Sequence, residues 1–470
     1  MIYLVTNAKS LFESSKYKCI SVEDSIDIIN AMGNIRGLDT ETTGLNPHIK
    51  ELLTVQIGNK KNQVVIDCTT INIDNYKSIL ENPDILYILA NAKFDIQFFF
   101  KHSIILNKVW DVMLAEQIRY LGYPKGSYHA DLKTLEWKYL NKDMDKTVRG
   151  KITKVGLTEE VIVYAANDVV DLEDLMNAQI KALEKEELVK AVQLENRFVI
   201  PLAYMEWCGI KLDVPKWKEK MIKDKKRLQE SLDKLNKYVV TNYADNPKFT
   251  KVDLQGDLFT GFDTAPHCII NWNSAAQVIP LFKEIGINTK TMDKKTRKLK
   301  DSVDSTLLEP QQKDFPILPI YLDYKEAAKV WSTYGQNWLD QINPVTNRVH
   351  TKFQQLGTNT GRISSGGKDK NAGVEYVNFL NLPSDAETRS CFIAEKGNSW
   401  ISIDYASQES YLMASISNDK ALIHELMEGS GDLHALTAYM SYPDQIPRDT
   451  KITDIKEKYH HLRQEAKGIE

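Results

Sequence analysis

The apolar positions of the first ninety residues fall in short β-like runs, whereas from about residue 160 onward many recur at helical spacing. Ile35 and Leu38 predict a short buried strand leading into GLDTETTGL at Gly37 to Leu45. Side chains alternate along a strand, so Asp39 and Glu41 project from one face and Thr40 from the other. Further strands are predicted at Leu52 to Gly58 (LLTVQIG), Gln63 to Asp67 (QVVID) and Ile85 to Ala90 (ILYILA). A helix then opens in NAKFDIQFFF. Strands followed by helices predict a mixed sheet covered by helices.

In EEVIVYAANDVVDLEDLM, Val161, Tyr164, Ala165, Leu172 and Leu175 keep one helical face, and Asp168 stands where an apolar residue is expected. Tyr164 lies one turn before it. Charged helices are predicted over Ile180 to Arg197 and Trp217 to Tyr243, with Gly209 and Pro215 punctuating the turn between them. NWNSAAQVIPLFKEIGI predicts an N-capped helix, and the next helix places Lys325 and Lys329 one turn apart. In WISIDYASQESYLMA, Ile401 and Ile403 alternate against Ser402 and Asp404, predicting a strand that delivers Asp404 to an edge before a helix with Glu409, Leu412, Met413 and Ile416. Near the end, Arg463 and Lys467 share a helix face.

With 470 residues, two to four domains are expected. The 60 basic and 64 acidic side chains give a net charge of −4, which neither demands nor excludes nucleic acid, so local clustering decides. Thr289 to Lys300 carries six basic side chains against one acid; such a run is more often solvated than bound to phosphate. The five cysteines have no C-x-x-C spacing, which argues for reduced thiols in a cytosolic compartment. Neither a signal peptide nor a membrane span is apparent, so a soluble intracellular protein is expected, without membrane partners.

Paired carboxylates repel unless a cation or proton intervenes, and hard divalent ions favour oxygen ligands. D-x-E alone is weak evidence, since Asp171/Glu173 and Asp385/Glu387 repeat it. Asp95 lies among Phe94, Phe98 and Phe99, where ionisation is costly unless compensated, although a solvated helix edge fits equally well. Asp168 has the alternative of a capped or paired core acid.

The ordered set D-x-E, N-x3-D at Asn91 to Asp95 and Y-x3-D at Tyr164 to Asp168 resembles the tyrosine branch of the DEDD-superfamily 3′–5′ exonucleases. Asp111 in WDVMLAEQ and the run DKTVRGKI at Asp145 to Ile152 are similar to that family's intervening helices. The resemblance implies a ribonuclease H-like α/β domain in which Asp39, Glu41, Asp95 and Asp168 hold two Mg²⁺ or Mn²⁺ ions and Tyr164 orients the attacking water.

Downstream, MEWCGIKLD, NWNS and KVWSTYG resemble the thumb of family A DNA polymerases. TKFQQLGTNTGRISS and VNFLNLP resemble its DNA-contacting segments, implying Gln355, Arg362, Asn378 and Asn381 as DNA ligands; Leu380 replaces the usual glutamine. IDYASQE resembles motif A, with Asp404 as metal ligand, Tyr405 lending its backbone carbonyl to the ion, and Glu409 excluding a ribose 2′-OH. Its middle departs from the family pattern at Ala406-Ser407-Gln408, as do Ser410-Tyr411 after the acid. GDLHALTA and LRQEAKGIE imply His434, Arg463 and Lys467 as triphosphate ligands.

The fold expectation is therefore an α/β and α+β multidomain chain: an exonuclease domain at 1–185, a thumb-like helical region at 186–345, and partial palm with the start of the fingers at 346–470. The implied function is a DNA-directed DNA polymerase with proofreading exonuclease for replication, phage-type because no 5′-nuclease domain precedes Asp39, acting in a cytoplasm (the host's, if phage-encoded). Its implied partners are primer-template DNA, a single-stranded 3′ end and dNTPs. The later aromatic, Tyr-Gly and His-Asp-Glu segments of the family are missing, so polymerisation by this chain alone is doubtful. The expectation is a longer chain or a second polypeptide that completes the polymerase and its Mg²⁺ site. The alternative is a stand-alone exonuclease with a duplex-binding, polymerase-like module.

Overall fold

The computed structural model describes residues 1–12, 14–124, 128–143, 156–252, 265–293, 296–369 and 373–468. The expected helix-like run at Asp145 to Ile152 lies outside the described residues. The chain divides into two compact units, Met1–Ile393 and Ala394–Glu470.

The first unit is built on a seven-stranded sheet. Its strands are β1 (Ile2–Val5), β2 (Tyr17–Ile20), β3 (Ile35–Thr42), β4 (Leu52–Gly58), β5 (Gln63–Asp67), β6 (Leu86–Leu89) and β7 (Val109–Asp111), in the spatial order β2-β1-β5-β4-β3-β6-β7. Only β4 runs antiparallel to its neighbours β3 and β5. The five strands β3 to β7 thus have ribonuclease H-like order and direction, as the resemblance implied. Val55, Ile57, Val64 and Ile66 are wholly buried, so β4 and β5 read as apolar runs because both faces are covered.

Helices α1 (Val22–Asn30), α2 (Ala92–Lys101), α3 (Val112–Arg119), α4 (Leu132–Leu140), α5 (Glu159–Asn167) and α6 (Leu172–Lys185) accompany the sheet. Two helix predictions need correction here. The pattern around Asp168 is not one helix: α5 ends at Asn167, Asp168 caps it, and α6 restarts at Leu172. Val169 explains the break. A Cβ on Gly37 would lie 2.6 Å from the Val169 carbonyl oxygen, and one on Gly58 2.7 Å from a Val169 methyl. The two glycines let the turn sit against β3 and β4, which a continuous helix could not do. The predicted helix over Ile180 to Arg197 is likewise interrupted, because Glu187 takes φ +57° and the Leu188 amide returns to the Leu183 carbonyl at 2.9 Å. This left-handed exit closes α6 before α7 (Val189–Cys208) begins.

Helix α8 (Val214–Tyr243) carries Asp213 as a side-chain N-cap and Pro215 in its first turn. It packs with α9 (Ala275–Ile285) and α10 (Ile317–Thr333) around Leu235, Val239, Phe282 and Tyr321. A third cluster joins Trp217 and Trp338, and the Trp217 indole donates to the Gly335 carbonyl at 3.2 Å. The basic stretch at 289–300 contains a hairpin in which Lys290 and Lys300 pair with Asp301 and Asp293.

In the second unit, α11 (Gln408–Ser417), α12 (Lys420–Met427), α13 (Leu433–Ser441), α14 (Ile452–Lys458) and α15 (His460–Ala466) follow one another. Ala435, Ala438, Ile446, Ile455 and Leu462 form its small core. The strand predicted at 400–404 is not formed. Ile401 is 81% and Ile403 88% exposed, and no strand is paired with them among the described residues. An alternating sequence needs a neighbour to become a ladder.

Replacing Gly37 by alanine is expected to force the 168–171 turn off β3 and to lower unfolding free energy by about 1–3 kcal/mol. Urea unfolding of the full chain measures this loss.

Candidate active site

Strand β3 presents Asp39 and Glu41 on one side, and the turn seated on Gly37 and Gly58 brings Asp168 to them. Ligand oxygens of Asp39, Glu41 and Asp168 all lie within 4.8 Å of one another. Three carboxylates this close repel strongly, and a divalent cation with oxygen preference matches the donor set. Tyr164, 8% exposed, stands one turn before Asp168, and the two residues line a cavity of about 540 Å³. Lys142 contributes a cation to that cavity, its ammonium 2.5 Å from Asp171.

Asp95 departs from the four-acid expectation because it is not drawn into this cluster. Its Oδ1 accepts the Thr40 hydroxyl at 2.6 Å, so the residue between the two acids of β3 is the link to the fourth one. Burial pushes the Asp95 carboxyl up to about 7; the Thr40 hydrogen bond opposes this, and the charge of Asp111 adds to it. The expected cost of ionising an acid among aromatics is thus present.

Asp111 is the residue whose role the sequence pattern did not disclose. Its carboxylate accepts the amides of Asn91 (3.2 Å) and Ala92 (2.8 Å) at the start of α2, and those of Met113 (2.9 Å) and Leu114 (3.1 Å) at the start of α3. Burial raises its pKa while these amides pull it down. One acid therefore fixes the origin of the helix that carries Asp95. The legible signal was WDVM, an aspartate directly before an apolar helical run.

The expected DNA ligands of the first unit differ in how far they are already engaged. Gln355 donates to the Glu195 carboxylate at 2.5 Å and to its carbonyl at 2.7 Å. The Asn378 side chain accepts from Ser365 at 2.9 Å and from the Leu380 and Asn381 amides, so it shapes its own turn. Arg362 and Asn381 are exposed, Arg362 just after Gly361 at φ +79°.

In the second unit Asp404, Tyr405 and Glu409 are exposed, Tyr405 by 77%. His434 lies on α13, and Arg463 lies on α15, which packs against it. The Arg463 guanidinium is held at both ends by Asp432, at 2.8 and 3.0 Å. Burial, the largest single influence, would raise the Asp432 carboxyl, but Arg463, the Ala435 amide and His434 together leave the group below its usual value. Asp432 also caps α13 through the Ala435 amide at 3.0 Å, so it orders the two helices on which the expected triphosphate ligands His434 and Arg463 stand. Lys467, at the exposed end of α15, is not joined to this pair.

A family model for 3′–5′ exonuclease matches residues 17–183, and one for DNA polymerase family A matches residues 262–468. The chain carries a 3′–5′ exonuclease domain followed by a DNA polymerase family A domain. DNA polymerase I of Chloroflexus aurantiacus is 26% identical over 440 residues, covering 88% of this chain and 42% of that protein. The DNA polymerase of Mycobacterium phage D29 is 23% identical, covering 90% of this chain and 68% of its own length. The chain thus spans less than half of the Chloroflexus relative. Among solved structures, the POL domain of Pol1 from M. smegmatis, in complex with DNA primer-template and dNTP, superposes with a TM-score of 0.70 at 19% identity, covering 99% of this chain and 70% of that one. That likeness shows a shared fold. No helix among the described residues is long and apolar enough to cross a membrane.

Because its folded pKa lies above the unfolded value, Asp95 stabilises the metal-free fold fully only below about pH 4, and this contribution is lost as pH rises through about 7. Asp95→Asn is expected to be stabilising relative to wild type in EDTA, with a gap that widens from pH 5 to pH 7.5. Urea midpoints at the two pH values check the sign.

Proposed function

We propose that this chain hydrolyses the terminal phosphodiester at the 3′ end of single-stranded DNA, as the proofreading part of a replicative family A polymerase. The observation that carries the reading is the convergence of Asp39, Glu41 and Asp168 within 4.8 Å. These carboxylates are the residues that would hold Mg²⁺ or Mn²⁺, and Asp95, hydrogen-bonded to Thr40 between the two acids of β3, would be the fourth acid of the set. Two such ions supply Lewis acidity at the phosphorus and an activated water when bound. The Tyr164 hydroxyl would orient an attacking water beside Asp168, and no covalent nucleophile would be required. The charge of a bound cation would offset the mutual repulsion of these carboxylates.

The domain limits fitting this reading are 1–185 for the exonuclease, 186–345 for a thumb-like region, and 346–470 for partial palm and fingers. Gln355, Arg362, Asn378 and Asn381 face primer-template DNA. Asp404 and the Tyr405 carbonyl serve the polymerase Mg²⁺, Glu409 discriminates against ribose, and His434, Arg463 and Lys467 take the dNTP triphosphate. We place the protein in the cytoplasm, that of the host if it is phage-encoded. Polymerisation by this reading needs the other palm acid, supplied by a longer form of this chain or by a second polypeptide. The exposure of Ile401 and Ile403 beside Asp404 supports that requirement, since apolar side chains in alternation are suited to an added strand.

With a 5′-labelled oligonucleotide and Mg²⁺, the full chain is expected to shorten the 3′ end. Asp39→Ala/Glu41→Ala is expected to lower the rate by about 10³-fold, or about 4 kcal/mol. A folded wild type that leaves the strand intact would overturn the exonuclease reading.

Mixing the chain with a candidate complementary polypeptide is expected to give primer extension that Asp404→Asn abolishes. A verified complex without extension speaks for a stand-alone exonuclease whose polymerase-like region only binds duplex.

A further inference from the structure

We propose that Glu206 is a positioning residue for the exonuclease site, holding α2 from behind and so setting where Asp95 stands against Thr40. The inference rests on the exonuclease reading above. Glu206 lies in the last turn of α7 and is 5% exposed. Its carboxylate accepts hydrogen bonds from the Lys93 ammonium, from the Gln97 amide at 2.6 Å and from the Phe353 backbone N–H. Lys93 also donates to the Phe353 carbonyl. Every donor has a defined partner, so this buried acid is compensated by built contacts rather than by solvent.

The placement of these donors on α2 gives the contact its effect. Lys93 and Gln97 are one turn apart and share a face, while Asp95, two residues from each, lies about 200° around the helix. One side of α2 is thereby fastened to α7, and the opposite side offers Asp95 to the Thr40 hydroxyl at 2.6 Å. Asp111 fixes the start of the helix; Glu206 fixes its rotation. A slight turn of α2 about its axis would release Lys93 and Gln97 together and carry Asp95 away from β3.

The same carboxylate reaches the short strand Phe353–Gln354, which leads directly into Gln355. Gln355 in turn is bound to Glu195, three turns earlier on α7. Helix α7 is therefore a bar to which both the exonuclease helix and a proposed DNA-contacting segment are tied. The His350 ring adds a contact to the Glu206 carbonyl at 2.8 Å.

The test uses the full chain and two readouts: Mn²⁺ binding followed by electron paramagnetic resonance, and Mg²⁺-dependent shortening of a single-stranded 3′ end. Glu206→Ala is expected to weaken Mn²⁺ binding about fivefold and to raise half-saturating Mg²⁺ by a similar factor, with the rate at saturating metal within about twofold of wild type. Glu206→Gln, which retains an acceptor for Lys93 and Phe353, is expected to recover most of the affinity. If Glu206→Ala does not fold, Gln97→Ala carries the test, with an expected weakening of about threefold. Unchanged Mn²⁺ affinity in a folded variant, whatever its thermal stability, would overturn the positioning role. A wild type that neither binds Mn²⁺ nor cuts overturns the exonuclease reading itself and this inference with it, an outcome distinct from the first.

Discussion

The contact on which the acid cluster depends involves no acid. It is the seating of Val169 on two positions that lack a Cβ, Gly37 in β3 and Gly58 in β4. At that approach the chain turns between α5 and α6, and Asp168, which caps α5, meets Asp39 and Glu41. Close packing of the Val169 carbonyl and methyl against two glycines accompanies the meeting of three groups whose charges resist being neighbours. The enclosing core, with Leu38, Val55, Ile57 and Leu172 all nearly or wholly buried, provides the stability against which that repulsion is set.

Carboxylates recur through the structure as junctions where separate segments meet. Asp111 caps two helices at once, Glu206 ties α2 to α7 and to residue 353, and Asp432 caps α13 while gripping Arg463 from α15. Each is partly or fully buried and each satisfies several donors, so removing one would orphan groups on two elements. Their burial and their multiple partners make these acids structural determinants of the geometry around them.

Much of this was legible in the amino-acid order. Leu52–Gly58 and Gln63–Asp67 formed strands with the predicted bounds, because their runs of branched apolar residues have no other way to bury both faces. Asp39 and Glu41 share a side because alternation on a strand is geometric, and Asp168 stood out as an acid in an apolar place. The break after Asn167 was hidden, since Leu172 and Leu175 happen to continue the helical phase and only the distant glycines reveal what Val169 does. Thr40 looked like the idle residue between two acids, yet its hydroxyl is what engages Asp95. The partners of Asp432 and Glu206 come from residues 31 and more than 100 positions away, and no local pattern encodes such pairings. The alternation at 401–404 was read correctly as amphipathic and wrongly as a formed strand, because propensity describes what a segment can pair with, not whether a neighbour is there.

That last segment has a practical consequence. Two isoleucines more than four-fifths exposed, next to Trp400 at 60% and followed on α11 by Met413 and Ile416 at 62% and 85%, make a water-facing oily ribbon on a unit of modest size. Such a ribbon attracts its own kind. Samples of the purified chain should therefore become more heterogeneous in size as they are concentrated, and the clumping should originate around residues 400–416 rather than in the nuclease half.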